Sequence, residues 1–238
     1  MVDEPSIGSV DRLALLRLLA WLSPAFPVGA FSYAHGLETA VEQGLVTDRA
    51  GLIAYVRAVL ERGGGAVDAA LFAATYRAVR VGDRVRLADV VELAAAWRGT
   101  AELAAESTNQ GRAFLATVRA AWPHAVLDEL DGLCRGLDCV PAAPVAVAAT
   151  CAAHGIGVEP ALAAYLHALA ANLVSAGLRL IPLGQTDGQR VVTALEPTVL
   201  RATAAGLVAD LDRLAVGAPV IDLLSMAHET QHTRLFSS

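Results

Sequence analysis

Residues 159–181 read EPALAAYLHALAANLVSAGLRLI, and residues 144–154 just before them read PVAVAATCAAH. Glu159 is the only acid or base between Asp138 and Arg179. A run this apolar is either a membrane span or the centre of a helical core. A span needs about 20 predominantly apolar residues without polar interruption. Here Pro141, Pro144, His154, Gly155 and Gly157 break the first half of the window, and His167, Asn172, Ser175 and Gly177 break the second. Alanine, the commonest residue in both halves, favours insertion far less than leucine does. The reading is therefore two buried core helices, about 144–154 and 159–181, and no membrane partner.

The rest of the chain suits that core. Hydrophobic residues make up 55% of the 238 and aromatics only 5%, so close packing through Ala, Leu and Val is expected rather than a β-sandwich. Mean hydropathy is +0.49. Residues 10–22 (VDRLALLRLLAWL) are apolar nearly all round, the mark of a helix that is buried or lies at an interface. Thr47 or Asp48 can cap a helix that Gly63-Gly64-Gly65 stops. Helices are then expected over about 66–81, 85–98, 100–120 and 125–134. Pro182 to Arg190 should end the second core helix in a compact turn using Gly184, Asp187 and Gly188. Two final helices follow, one with Leu200, Leu207, Leu211 and Leu214 at heptad-like spacing and one from Pro219. The expected fold is a single-domain, all-α bundle of about ten helices with no β-sheet, preceded by a flexible segment over 1–9.

Bulk charge narrows the function. Net charge is −6, pI is about 5.5, and the 18 basic residues are scattered, so nucleic acid is not expected as a partner. Met1 to Ser9 has Asp3 and Glu4 and no apolar core, so no signal peptide is expected. Three cysteines suit a reducing cytoplasm better than a disulfide framework.

Four stretches carry candidate chemistry. Ser23 to Glu38 (SPAFPVGAFSYAHGLE) concentrates prolines, glycines and aromatics. Ser32 is a plausible N-cap there, with His35 and Glu38 three apart on the helix that follows. The run Glu106-Ser107-Thr108-Asn109-Gln110-Gly111-Arg112 reads as solvated helix surface. Cys134, Cys139, Cys151 and His154 could form a Cys3His site, but the spacing is unlike common zinc modules, so buried thiols are the plainer reading. His228-Glu229-Thr230-Gln231-His232 matches H-E-x-x-H, in which a helix presents two zinc ligands and a general base. Only six residues follow His232, so no third ligand can come from downstream. No P-loop, dinucleotide fingerprint or nucleophile elbow is present.

These stretches together resemble the urease accessory protein F (UreF) family. The likeness rests on Ser23–Glu38, on the Glu106-Ser107 … Gly111-Arg112 pattern, on Gly184-Gln185-Thr186-Asp187-Gly188-Gln189, and on Ser225 to Ser238 with its His-Glu-Thr-Gln…Thr-Arg-Leu-Phe tail. Asn109-Gln110 departs from the family pattern, and His232 stands where the family usually has tyrosine. The resemblance covers residues 10–238. It implies a cytoplasmic, non-enzymatic chaperone for nickel insertion that dimerises and binds a UreD/UreH-type accessory protein. With that partner it would recruit and regulate the GTPase UreG on apo-urease, without a cofactor of its own. The partner-binding residues expected are Tyr33, His35, Glu38, Asp187 and Gln189, with Arg234, Leu235 and Phe236 on a tail (about 226–238) exposed by position and ordered by the partner. The alternative is a metal-binding protein or zinc hydrolase using His228, Glu229 and His232.

Overall fold

Apolar residues at three- and four-residue intervals produce eleven α-helices and no strand among the described residues. They are α1 (Arg12–Trp21), α2 (Leu37–Glu42), α3 (Arg49–Arg62), α4 (Gly64–Val81), α5 (Arg84–Ala96), α6 (Ala101–Ala121), α7 (Ala125–Gly136), α8 (Ala143–Ala153), α9 (Val158–Leu180), α10 (Gln185–Leu207) and α11 (Pro219–His228). This computed structural model describes residues 11–215 and 217–238. The flexible segment expected over 1–9 lies outside the described residues. Side chains start several helices by accepting orphan N–H groups: Asp48 from Gly51, Asp83 from Arg86 and Thr100 from Leu103.

Helix α8 is the axle. Every residue from Ala143 to Ala152 is buried, and α4, α6, α7 and α9 pack around it. Small side chains let these backbones approach closely. At Gly111 on α6 an added Cβ would fall 2.1 Å from the Pro141 carbonyl oxygen. Helix α9 is long and apolar enough to cross a membrane by length and composition, with 44% of its most apolar window buried in this fold. It packs against α10, α4, α8 and α3.

Three boundaries differ from expectation. Gly63 ends α3, but Gly64 and Gly65 already belong to α4. Gly184 is the N-cap of α10, so Asp187 and Gly188 lie in its opening turns rather than in a compact turn. An acid there complements the positive end of the helix. Gly188 instead permits close approach to Leu178, whose Cδ1 lies 2.6 Å from where a Cβ would be. Pro197 sits inside α10, and the expected leucine series is cut at Leu207. Leu211 then falls in a short 3-10 turn, Leu211–Arg213, capped by Asp210.

Helix α1 is the loosest element. Leu18 and Trp21 are buried, while Leu13, Leu15, Leu16 and Leu19 are 45–64% exposed. The helix is therefore not buried all round.

Candidate functional site

Pro24, Pro27 and Gly29 shape an irregular entry that closes into a 3-10 turn at Ala30–Ser32. The helix does not start at Ser32. It starts at Leu37, after Gly36 at φ +73°, where an added Cβ would lie 2.8 Å from the Ser225 nitrogen of α11. His35 is itself left-handed at φ +52°, and the Tyr55 hydroxyl donates to its carbonyl at 2.6 Å. His35 and Glu38 therefore do not share one helix face. Each reaches a different part of the chain.

Glu38, 7% exposed, holds the C-terminal tail. Its carboxylate accepts the Leu235 N–H at 2.7 Å and the Phe236 N–H at 2.9 Å, and it meets His228 Nε2 at 3.1 Å. His228 is fully buried, and its Nδ1 lies 2.7 Å from Glu102 on α6. Glu102 in turn accepts from Arg234 Nη1 at 2.9 Å. The order is Arg234, Glu102, His228, Glu38, tail backbone. Both ring nitrogens of His228 thus face carboxylates.

A second strand of the network holds the last residue. His35 Nε2 lies 2.9 Å from Glu106 on α6, which also accepts from Gln110 at 3.0 Å and from the Ser238 hydroxyl at 3.0 Å. The Ala34 N–H donates to the Ser238 carbonyl and the Ser237 N–H to the Ser32 carbonyl. Burial by itself would lower the His35 pKa. The Glu106 carboxylate beside it outweighs that loss, and the pKa is raised above the ordinary 6.5. Beneath this pair Arg98 bonds Asp68 and Ser107, both at 2.8 Å, and the Tyr165 hydroxyl donates to Asp68 at 2.6 Å.

The network relocates several expected site residues. His35 and Glu38, expected on the surface, are buried. Phe236 is also buried, not exposed by position, with the Arg179 guanidinium 4.2 Å above its ring. Arg179 donates to the Phe31 carbonyl as well, which ties tail and entry segment to α9. Leu235 and Arg234 remain exposed and Tyr33 is half-buried, its hydroxyl accepting from Asn109 at 3.3 Å. Asp187 pairs instead with Arg190 and Arg49, and Gln189 is exposed on the same helix. The run from Glu106 to Arg112 is not solvated throughout, because Glu106, Ser107 and Gly111 are buried. Glu102 and Arg179 were missed. A like-charged i, i+4 pair such as Glu102 and Glu106 is unfavourable on an open helix surface, and that was the available signal that cations meet this face.

The zinc-hydrolase reading fails on geometry. Helix α11 ends at His228, and His232 lies beyond it, exposed, so the two imidazoles do not share a helix face. Glu229 accepts the Ala101 N–H at 3.2 Å instead of facing a metal. Among the described residues no group of three or more His, Cys, Asp or Glu side chains could hold a metal ion. Cys134 and Cys151 are buried thiols, and burial pushes Cys134 up to about 11 and Cys151 up to about 12, away from the thiolate that binds metals, while Cys139 is half-buried.

Comparison with known proteins is direct. The family model UreF matches residues 46–196. The urease accessory protein UreF of Granulibacter bethesdensis is 49% identical over 239 residues, covering all of both chains. The protein of the same name from Rhodopseudomonas palustris strain BisB18 is 47% identical, covering 99% of this chain and 97% of its own. That from Bradyrhizobium sp. strain ORS 278 is 48% identical, covering 97% and 95%.

Proposed function

We propose a function from one premise: this chain belongs to the UreF family of urease accessory proteins. It acts in the cytoplasm as a non-enzymatic factor in nickel insertion. With a UreD/UreH-type partner it recruits the GTPase UreG to apo-urease and regulates GTP hydrolysis there. A homodimer is the working form.

One observation supports the first step of this reading. The buried carboxylates Glu38 and Glu106 bring the two sequence signatures, Ser23–Glu38 and the C-terminal tail, into one surface. On these two segments Phe31 and Leu235 are 66% and 60% exposed, and Arg234, next to Leu235 in the chain, is exposed as well. Arginine is enriched among interface anchors, which singles out Arg234. Arg234 and Leu235 are assigned to the UreD/UreH-type partner, whose binding fixes the tail in its docked form, and Tyr33 to the GTPase. His35, Glu38 and Phe236 position them. Asp187 and Gln189, at the start of α10, are assigned to the GTPase.

Size-exclusion chromatography with light scattering tests the assembly. Stepwise addition of the UreD/UreH-type protein and then the GTPase should give two successively larger complexes. Arg234→Ala should weaken the first step about tenfold in a titration, and Asp187→Ala should spare the first and weaken the second. Unchanged affinity in both variants would overturn the residue assignments, and no co-elution at all would overturn the scaffold reading.

A further inference from the structure

Of four buried polar atoms without a protein hydrogen-bond partner, one, Arg98 Nε, lies beneath the tail network, and the other three, Arg17 Nε, Trp21 Nε1 and His154 Nε2, come from side chains at one junction of the fold. Arg17 and Trp21 are four apart on α1, so they share a face. Trp21 is 2% exposed, and its indole lies 5.3 Å, ring to ring, from His154, the C-cap of α8. Trp122 meets Trp21 edge-on at 5.9 Å, and His124, the N-cap of α7, meets His154 edge-on at 5.4 Å. His124 Nδ1 accepts the Val126 N–H at 3.2 Å, so a neutral His124 ring carries its proton on Nε2.

The inventory is lopsided. Arg17, Trp21 and His124 supply donors. No carboxylate among the described residues lies within 4.0 Å of Arg17, His124 or His154 to receive them. Burial first, then the Arg17 charge and His124, hold His154 below its ordinary pKa, against a hydrogen bond to the Trp122 backbone. Its Nε2 is thus one lone pair among donors near neutral pH. A cation ligated there would face the Arg17 guanidinium, which argues against a metal. A buried indole N–H left unpaired is costly, and an acceptor bearing negative charge satisfies the donors best. The unpaired atoms are themselves covered, while Arg17, His124 and His154 are half-buried as residues, so an anion reaches the donors when these outer side chains shift.

We propose that the junction of α1, α7 and α8 is an oxyanion site, in which Arg17, Trp21 and His154 hold a carboxylate or a small inorganic oxyanion. When the anion enters, His154 takes up a proton at Nε2 and becomes a third donor. Affinity therefore rises as pH falls. The carboxylate could arrive on an acidic side chain of a chain docked on the exposed leucines of α1. An inorganic oxyanion would come from solution.

The test is an NMR titration of the full chain, following the Trp21 indole N–H and the His154 ring, with inorganic phosphate in one arm and acetate in the other. Saturable movement of the Trp21 signal, a raised His154 pKa in the loaded form, and affinity about tenfold weaker in Arg17→Gln are expected. Saturation by phosphate alone would assign the site to a free inorganic oxyanion. Saturation by acetate would assign it to a carboxylate. His154→Gln should bind with no pH dependence between 5 and 8, which keeps the proposal testable if Arg17→Gln does not fold. Absence of saturation in both arms, or equal affinity in Arg17→Gln, would overturn it.

Discussion

The tail junction and the α1 junction both bury polar groups beside aromatic rings, yet they balance them in opposite ways. At the tail junction Glu38, Glu102 and Glu106 meet His228, Arg234, His35 and backbone N–H groups, and one donor, Arg98 Nε, is left over beneath them. At the α1 junction Arg17 and Trp21 have donors left over, and the same helix turns its leucines outward. A closed network fixes one geometry, because each member is expensive to strand. An open one costs stability and leaves chemistry for something else to complete. The difference marks the tail junction as a clamp and the α1 junction as a receiver.

That contrast can be broken most decisively at Glu38. Glu38→Ala strands His228 and two tail N–H groups in a buried site and should cost about 3–5 kcal/mol in chemical denaturation. It should also deprotect residues 235–238 in hydrogen exchange. A loss below about 1 kcal/mol would mean the carboxylate relay is not what holds the tail.

The pH dependence is the next test. The folded His35 pKa is raised above its unfolded value of about 6.5, so this contribution is complete below that pH. It is lost as pH rises through the folded pKa. Denaturation midpoints of the parent chain should fall over that window, and His35→Gln should flatten the slope. A parent profile parallel to that of His35→Gln would remove His35 from the clamp.

Trp21→Phe sharpens the other side of the comparison. It keeps an aromatic ring and deletes a donor that has no protein partner, so the cost should stay under about 1.5 kcal/mol. A loss matching Glu38→Ala would mean that the two junctions are equally closed. Smallest of all, Leu16→Ser on the outer face of α1 should move stability by no more than about 0.5 kcal/mol. Its effect should appear in partner titrations, because an exposed apolar stripe contributes on being covered.

Much of the fold was legible because helical periodicity is a local property. The apolar spacing in α3 to α9 gave boundaries within a few residues, and the alanine-rich composition correctly implied close packing around α8. The misread segments were those where a distant contact sets the conformation. Gly36 begins α2 because α11 passes within contact distance of it, which nothing in SPAFPVGAFSYAHGLE announces. Gly188 looked like a turn residue, but its task is to admit Leu178.

The candidate site divides along the same line. That the protein is an all-α chain whose four signatures resemble the UreF family follows from residue types and their order alone. Helix packing alone makes two of those signatures one clamp, with Glu102 and Glu106 of α6 between them. It also decided that His228, one half of an apparent zinc motif, is held between Glu38 and Glu102. A side chain's role depends on which groups share its buried surroundings. Here those groups come from positions up to 204 residues apart, as Ala34 and Ser238 do, a separation that local pattern cannot encode.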